Sequence, residues 1–341
     1  MSKVLVIGDP FVSAENLAKA AAKLAIDPPI DIYQFDWCPE LSRSEFREII
    51  KKLERNGPSG FDLPAGVLEV LPQVEYLLVH LAPISATTIA KAERLKMIGT
   101  CRGGLEHLDL AAIREKKHIP IINVIRNAEP VADFTIGLMY ATVRNIAAAA
   151  IQVKQGKWPQ SFANDSYKSS FSNMKVGLVG LGHIGKIVAK RLNALGMSVS
   201  AFDPFAKQAD LTAEGCLVNL CSLEELFQNS DVVSLHLRVV PETENLIDAS
   251  LLKLMKPSAY LINTARPEIL NQKDFIEVLQ TGKIAGAGID VMWQEPIDPD
   301  DPLLSLDNVV ITSHIAGDTV DAIERSPQLL QRTINQYLEK P

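Results

Sequence analysis

The chain has 341 residues, more than one ordinary hydrophobic core accommodates, and this length favours two domains. Hydrophobic residues make up 47% and charged residues 22% of the chain, which is typical of globular proteins and excludes a disordered or fibrous class. The formal net charge is −7 and the basic residues are scattered, whereas nucleic-acid binding requires a basic face. We therefore expect no nucleic-acid partner.

Signals for export, membrane insertion and metal binding are weak. The first nine residues contain four consecutive apolar residues, which predicts a buried strand and not a signal peptide. The most apolar stretch, residues 131–151, is interrupted by Asp133 and Arg144, although a membrane span needs about 20 apolar residues with few charges. We therefore expect a cytoplasmic protein with no membrane partner. Neither a disulfide framework nor a metal site is expected from the spacing of the four cysteines, Cys38, Cys101, Cys216 and Cys221.

Short apolar runs alternate with helical patterns in the first part of the chain. The runs predict strands at residues 4–8, 30–35, 76–81, 95–99 and 120–124. Helical spacing of apolar residues predicts helices between most of these runs, for example at residues 13–25 and 44–55. One long helix is then predicted from Glu129 to Gly156, with Pro130 in its first turn.

A polar linker separates this helix from a second alternating series. Strands are predicted there at residues 175–180, 197–202, 231–236, 259–263, 284–290 and 308–312. Ser222 and Glu225 form a predicted capping box, and Gly196 and Gly282 stand where helix ends favour a left-handed residue. The alternation as a whole predicts the α/β class, with two doubly wound parallel-sheet domains.

A glycine-rich turn, Gly180-Leu-Gly182-His-Ile-Gly185, joins a predicted strand to an amphipathic helix. In that context Gly180 permits the tight turn, Gly182 lets a pyrophosphate approach the backbone, and Gly185 lets helix and strand pack closely. Asp203 follows 18 residues after Gly185, where a carboxylate can bind the adenosine ribose and repel a 2′-phosphate. We therefore predict NAD rather than NADP. A structural turn without a ligand, or an S-adenosylmethionine site, could use the same turn.

Several segments occur in the order and spacing of a known family: residues 98–110, 180–185, 222–248, 263–271, 286–296 and 313–317. In these segments the chain resembles the D-isomer-specific 2-hydroxyacid dehydrogenases of the phosphoglycerate dehydrogenase-like group. The resemblance implies a Rossmann NAD-binding domain at residues 126–313. This domain would be inserted in a flavodoxin-like substrate domain formed by residues 1–125 and 314–341. It also implies hydride transfer between NAD and a D-2-hydroxy or 2-keto acid.

The resemblance further implies a homodimer built with the helix at residues 129–156. Because the chain ends 24 residues after Gly317, we expect a short form without the C-terminal regulatory domain.

The same resemblance assigns catalysis to Arg266, Glu295 and His314. Oxidation of a secondary alcohol needs a base for the hydroxyl proton, and an imidazole suits that task because its pKa lies near the working pH. A carboxylate such as Glu295 would fix the tautomer of His314 and stabilise the imidazolium. The planar guanidinium of Arg266 would hold the substrate carboxylate or polarise the C2 oxygen. Each of the three follows a predicted strand, which places them at one edge of the sheet.

Further residues are assigned to binding. The predicted cofactor-binding residues are Gly180, Gly182, His183, Ile184, Gly185, Asp203, His236, Thr264, Ala265, Asp290 and His314. The predicted substrate-binding residues are Arg102, Gly103, Gly104, Arg126 and Arg266. Family resemblance implies that the backbone at Gly103 and Gly104 receives the substrate carboxylate, since only glycine permits so close an approach.

Two departures from the family pattern concern the substrate. Pro267 stands where glycine usually follows the catalytic arginine, and it removes an amide donor there. Arg102 stands where glycine is common, so we hypothesise that Arg102, with Arg126, binds a second anionic or polyhydroxy end of the substrate. A phosphorylated acid such as 3-phosphoglycerate and a sugar acid both satisfy this hypothesis. A solvated arginine without a ligand is the alternative.

Two other functions remain open from the sequence. A regulatory protein that binds NAD(H) without turnover could retain all three catalytic residues. An adenosylhomocysteine hydrolase or a methyltransferase could use the same glycine turn, but these enzymes lack the Arg–Glu–His order found here.

Overall fold

A computed structural model describes residues 2–116 and 118–339. The chain divides into two compact units, one formed by Met1–Arg126 with Thr319–Pro341 and the other by Asn127–Asp318. The strands are β1 (Ser2–Gly8), β2 (Ile30–Asp36), β3 (Tyr76–Val79), β4 (Met97–Thr100), β5 (Ile121–Asn123), β6 (Lys175–Val179), β7 (Ser198–Phe202), β8 (Asn219–Leu220), β9 (Val232–Leu235), β10 (Tyr260–Asn263), β11 (Gly286–Ile289) and β12 (Val309–Ile311).

Helices connect most of these strands. They are α1 (Ala14–Ala21), α2 (Arg43–Asn56), α3 (Val67–Val70), α4 (Ala86–Lys91), α5 (Leu110–Glu115), α6 (Ala128–Val143), α7 (Ile146–Lys154), α8 (His183–Ala194), α9 (Gln208–Ala213), α10 (Leu223–Asn229), α11 (Ala249–Leu252), α12 (Gln272–Gln280), α13 (Val320–Glu324) and α14 (Ser326–Leu338). Short 3-10 helices lie at Leu71–Gln73, Phe171–Asn173, Pro267–Ile269 and Pro302–Ser305.

The first unit is a five-stranded parallel sheet in the order β2-β1-β3-β4-β5, the flavodoxin-like order. Alternate residues of β1 enter different cores because successive side chains of a strand point to opposite faces. Val4 and Val6 pack on one face with α1 and α14, and Leu5 and Ile7 pack on the other. Both faces are therefore buried, as parallel sheets require.

The second unit is a seven-stranded parallel sheet in the order β12-β11-β10-β9-β6-β7-β8. Six of these strands follow the doubly wound dinucleotide-binding order, and β12 extends it. The predicted strands of both units are confirmed, as is the α/β class. The two-residue strand β8 was not predicted because it is too short to show a periodic pattern.

The prediction of one helix from Glu129 to Gly156 is wrong. The chain bends by 68° between α6 and α7, where Asn145 has a left-handed φ of 56°. The Asn145 side chain donates to Asn164 Oδ1 (2.6 Å), and Asn164 donates in turn to the Val143 carbonyl (3.2 Å). An asparagine in the left-handed region ends a helix much as glycine does, and here a distant side chain binds a carbonyl left free at that end.

Local capping predictions hold in detail. Ser222 and Glu225 form the reciprocal capping box of α10, and Gly196 and Gly282 have φ of 77° and 63°. Within the part of the chain that the structure describes, no single helix has the length and apolar character to cross a membrane. Among residues 2–116 and 118–339, α6 and α7 reach that length and composition when they are counted together as a bent pair.

Candidate active site

The three glycines of the turn after β6 have different surroundings. Gly180 has φ of 101°, and a Cβ there would lie 2.9 Å from the carbonyl oxygen of His236. A Cβ on Gly185 would overlap the Gly180 carbonyl oxygen, but a Cβ on Gly182 would meet nothing within 4 Å. The fold therefore requires glycine at positions 180 and 185 but not at 182. Gly182 lies at the start of α8, and the open space at this glycine fits a pyrophosphate bound by the N-terminal amides of the helix.

Asp203 follows β7, and its carboxylate links the end of that strand to the glycine turn by hydrogen bonds. Its Oδ2 accepts from the Leu181 amide (2.8 Å) and its Oδ1 from the Phe205 amide (2.9 Å). A carboxylate has about four lone-pair positions, so both oxygens can still accept from ribose hydroxyls. The donor and acceptor set around the turn thus fits a dinucleotide with an unphosphorylated ribose.

The remaining residues near this turn differ in exposure. His183 is exposed at the first position of α8, whereas Ile184 packs against the core. His236 follows β9, and its Nε2 is 3.0 Å from the Ser234 hydroxyl. Burial of the His236 ring lowers its pKa to about 4, so the ring is neutral at pH 7.

Three neighbouring strands carry the three predicted catalytic residues. Arg266, Glu295 and His314 follow β10, β11 and β12, which lie side by side in the sheet. His314 Nδ1 lies 2.9 Å from Glu295 Oε2 and 3.0 Å from Oε1, and both side chains are partly exposed. Because an ionised carboxylate only accepts hydrogen bonds, Nδ1 carries the proton and Nε2 is the basic nitrogen of the neutral ring. The Met292 amide donates to Glu295 Oε1 (3.1 Å) and fixes the carboxylate.

Asp290 anchors the loop that carries His314. Its carboxylate is buried and accepts from the Ile315 amide (3.1 Å), the Ala316 amide (2.8 Å) and the Thr312 hydroxyl (2.6 Å). His314 itself has φ of 57°, a conformation that non-glycine residues rarely adopt. These three hydrogen bonds, one before His314 and two after it, hold the loop in this conformation.

The Arg266 turn is organised by Asn263 at the end of β10. Asn263 donates to the Arg266 carbonyl (2.9 Å) and accepts from the Ala265 amide (3.0 Å). The Thr264 hydroxyl forms a hydrogen bond with the Thr135 hydroxyl of α6 (2.7 Å). The exposed guanidinium of Arg266 donates to the Ala265 carbonyl and is not bonded to His314 or Glu295. Pro267 occupies the first turn of a 3-10 helix, a position where the missing amide donor is not needed.

In the first unit, the loop after β4 carries three of the predicted substrate-binding residues, Arg102, Gly103 and Gly104, and Arg126 follows β5. A Cβ on Gly103 would meet Ile125 only at 3.4 Å, an ordinary contact, so the fold does not require glycine there. Gly104 lies against the Glu106 carboxylate. Arg102 donates from Nη2 to Glu54 Oε1 of α2 (2.8 Å), a pair that the sequence does not predict. No sequence signal at Glu54 distinguishes it from the other charged residues of an exposed helix face.

A buried polar cluster beneath this loop was also missed. Asp9 Oδ2 lies 2.8 Å from His80 Nδ1, and Thr100 Oγ1 lies 3.0 Å from His107 Nε2. Burial lowers the pKa of His80, although Asp9 opposes the shift, and the charges of Arg126 and Arg102 lower it further. Both arginines therefore lie close enough to His80 to act on the same ring. Asp9 and His80 directly follow β1 and β3, and polar residues at the ends of two strands are the sequence signal that could have predicted this cluster.

No group of three or more His, Cys, Asp or Glu side chains is placed to hold a metal ion within residues 2–116 and 118–339.

Comparison with known proteins defines the class. Residues 136–316 match the family model described as D-isomer specific 2-hydroxyacid dehydrogenase, NAD binding domain. A hydroxypyruvate reductase of Thermotoga maritima is 35% identical over 265 residues, 76% of this chain and 83% of that protein. A glyoxylate reductase of Thermofilum pendens is 35% identical over 258 residues, 74% of each chain. The solved TT0316 protein from Thermus thermophilus is 29% identical with a TM-score of 0.64, and the match covers 96% of this chain and 94% of that one.

The chain belongs to the D-isomer specific 2-hydroxyacid dehydrogenase family. It is an NAD-dependent oxidoreductase of 2-hydroxy acids, and NAD is its cofactor.

Proposed function

We propose that the enzyme interconverts a D-2-hydroxy acid and its 2-keto acid with His314 as the acid and base. The observation that carries this proposal is the His314–Glu295 pair, which leaves Nε2 as the basic nitrogen at a partly exposed site. In reduction of a keto acid, His314 Nε2 gives a proton to the C2 oxygen; in oxidation it takes the proton back. Glu295 stabilises the imidazolium through Nδ1, and Arg266 binds the substrate carboxylate or the C2 oxygen.

NAD supplies or accepts the hydride when bound. We propose that the backbone around Gly180, Gly182 and Gly185 holds its pyrophosphate, with His183 and Ile184 at the start of α8, and that Asp203 binds its ribose. His236, Thr264, Ala265, Asp290 and His314, at the ends of the neighbouring strands, would bind the nicotinamide half. The open space at Gly182 and the remaining acceptor capacity of Asp203 support this assignment.

For the substrate, we propose that the Gly103 and Gly104 backbone receives one carboxylate, with Arg102 and Arg126 near the other end. Two relatives are named for hydroxypyruvate and glyoxylate, which supports a short 2-keto acid. A phosphorylated acid related to 3-phosphoglycerate and a sugar acid are the candidates with a second polar end.

NADH oxidation at 340 nm against a panel of 2-keto acids tests the function. We expect turnover of at least one acid, and His314→Ala should lower kcat by about 10²–10⁴-fold because the proton donor is lost. His118→Ala, at an exposed residue outside the site, is the matched control and should keep full activity. Tight NADH binding without turnover of any acid would instead support a regulatory NAD(H)-binding protein.

We also propose a homodimer formed through α7. This helix is apolar, yet none of its residues is buried, and Ile146 and Ile151 are 56% and 58% exposed. Exposed apolar faces of this kind mark association surfaces. Light scattering after gel filtration should give twice the chain mass, and Ile151→Glu should give one chain mass; a monomeric native enzyme would contradict the proposal.

A cytoplasmic location is proposed on the four unpaired cysteines, which suit a reducing compartment. Thiol titration of the freshly isolated enzyme should find all four reduced, and a native disulfide would contradict this location.

A further inference from the structure

We propose that the Arg102–Glu54 pair recognises a hydroxyl group of the substrate, so that the preferred acid is a hydroxylated 2-keto acid and not a phosphorylated one. This inference rests on the proposed function, in which the neighbouring Gly103 and Gly104 receive the substrate carboxylate. Arg102 directly precedes those glycines, so its side chain starts beside the bound carboxylate. The group that it can reach is therefore another part of the same small molecule.

The geometry of the pair favours a neutral partner. Arg102 Nη2 donates to Glu54 Oε1 over 2.8 Å, and the side chains are 19% and 42% exposed. One carboxylate oxygen of Glu54 remains without a hydrogen bond to any residue in ranges 2–116 and 118–339, and the guanidinium has further donors. A hydroxyl group can donate to that oxygen and accept from the guanidinium at once. A phosphate dianion can only accept, so it would leave the second oxygen of Glu54 without a donor from the substrate.

The charge of the pair also favours a hydroxyl group over a phosphate. A phosphate carries close to two negative charges at pH 7. It would have to approach the Glu54 carboxylate, which already neutralises Arg102 at 2.8 Å. Like charges in direct contact repel each other, so this approach is unfavourable. His80 and His107 add no positive charge, because burial keeps both rings neutral at pH 7. Arg126 is a further cation whose charge acts on His80, but one cation does not offset the two charges of a phosphate beside Glu54.

Three substrates with one carbon skeleton provide the test: pyruvate, hydroxypyruvate and 3-phosphohydroxypyruvate. Longer polyhydroxy 2-keto acids, each with its deoxy analogue, extend the series in case the pair lies farther along the substrate. For the wild-type enzyme we expect kcat/KM to be at least about tenfold higher for a hydroxylated acid than for its deoxy analogue. Glu54→Gln should reduce this ratio by about tenfold and raise kcat/KM for the phosphorylated acid relative to the hydroxylated one by a similar factor.

Glu48→Gln is the matched control, because Glu48 lies on the same helix and pairs with Lys51 on the exposed surface. Its substrate ratios should equal those of the wild type. Ratios in Glu54→Gln that also equal the wild-type ratios would overturn the inference while leaving the reaction intact. Failure of the proposed function gives a different result, since the wild-type enzyme would then turn over no acid. Melting temperature and NADH affinity, measured for each variant, establish that the fold and the cofactor site are preserved.

Discussion

At the scale of single residues, Asp290 holds the chain on both sides of His314. Its two oxygens accept from two amides directly after His314 and from the Thr312 hydroxyl before it. An amide side chain at this position would turn one acceptor into a donor that faces another donor. Such a buried mismatch costs about 1–3 kcal/mol, and the loop would relax to avoid it.

We therefore predict that Asp290→Asn lowers kcat about 10–100-fold, because small displacements of a reacting group reduce rates steeply. KM for the keto acid should change much less than kcat, since the substrate contacts remain. Steady-state kinetics and NADH titration separate the two proposed roles of Asp290. If NADH affinity is lost while kcat at saturating NADH stays at the wild-type value, Asp290 acts through the cofactor and does not position His314.

At the scale of elements, the turn between β6 and α8 contains two kinds of glycine. The fold requires Gly180 and Gly185, whereas the space at Gly182 is open to a ligand. In Gly182→Ala the new methyl group occupies open space, and the backbone angles there are ordinary for alanine. In Gly185→Ala it overlaps a carbonyl oxygen of the same turn. Both substitutions add one methyl group, so a difference between their effects reports the different surroundings of the two glycines.

We predict that Gly182→Ala changes stability by less than about 1 kcal/mol but raises the Kd for NADH at least tenfold, because the methyl group blocks the pyrophosphate. Gly185→Ala should destabilise the unit by about 1–3 kcal/mol or more, since the overlap is with backbone. Thermal melting and fluorescence titration with NADH measure both quantities. Wild-type affinity in Gly182→Ala would mean that the cofactor does not use this space.

Elements also show how far the sequence predicts this molecule. The strands and the glycine turn follow from local patterns, because each depends on spacing within a few residues. The assignment of Arg266, Glu295 and His314 to catalysis rests instead on the family resemblance, since the three residues are spread over 48 positions. The bend after α6 does not follow from a local pattern, because Asn164 stabilises it from 19 residues away. For the same reason the Arg102–Glu54 pair and the Asp9–His80 pair were not predicted: their partners are 48 and 71 residues apart.

At the scale of the whole molecule, both units contain imidazole rings whose pKa is lowered by desolvation. Of the six histidines in the chain, His80 and His107 lie in the first unit and His236 in the second. Burial lowers the pKa of all three, that of His107 well below its ordinary value and that of His236 to about 4. In the unfolded chain these rings titrate near pH 6.5. Below that pH the unfolded state therefore binds protons that the folded state excludes.

It follows that stability is complete above about pH 6.5 and decreases as the pH falls towards the lowered folded-state pKa values, by about 1.4 kcal/mol per group for each pH unit. Denaturant unfolding between pH 7.5 and 5 should show this loss in both units, and His107→Asn should reduce the pH slope for the first unit alone. His118→Gln, at an exposed position, should leave the slope unchanged. A slope in His107→Asn equal to that of the wild type would show that the buried ring accepts a proton in the folded state as readily as in the unfolded chain.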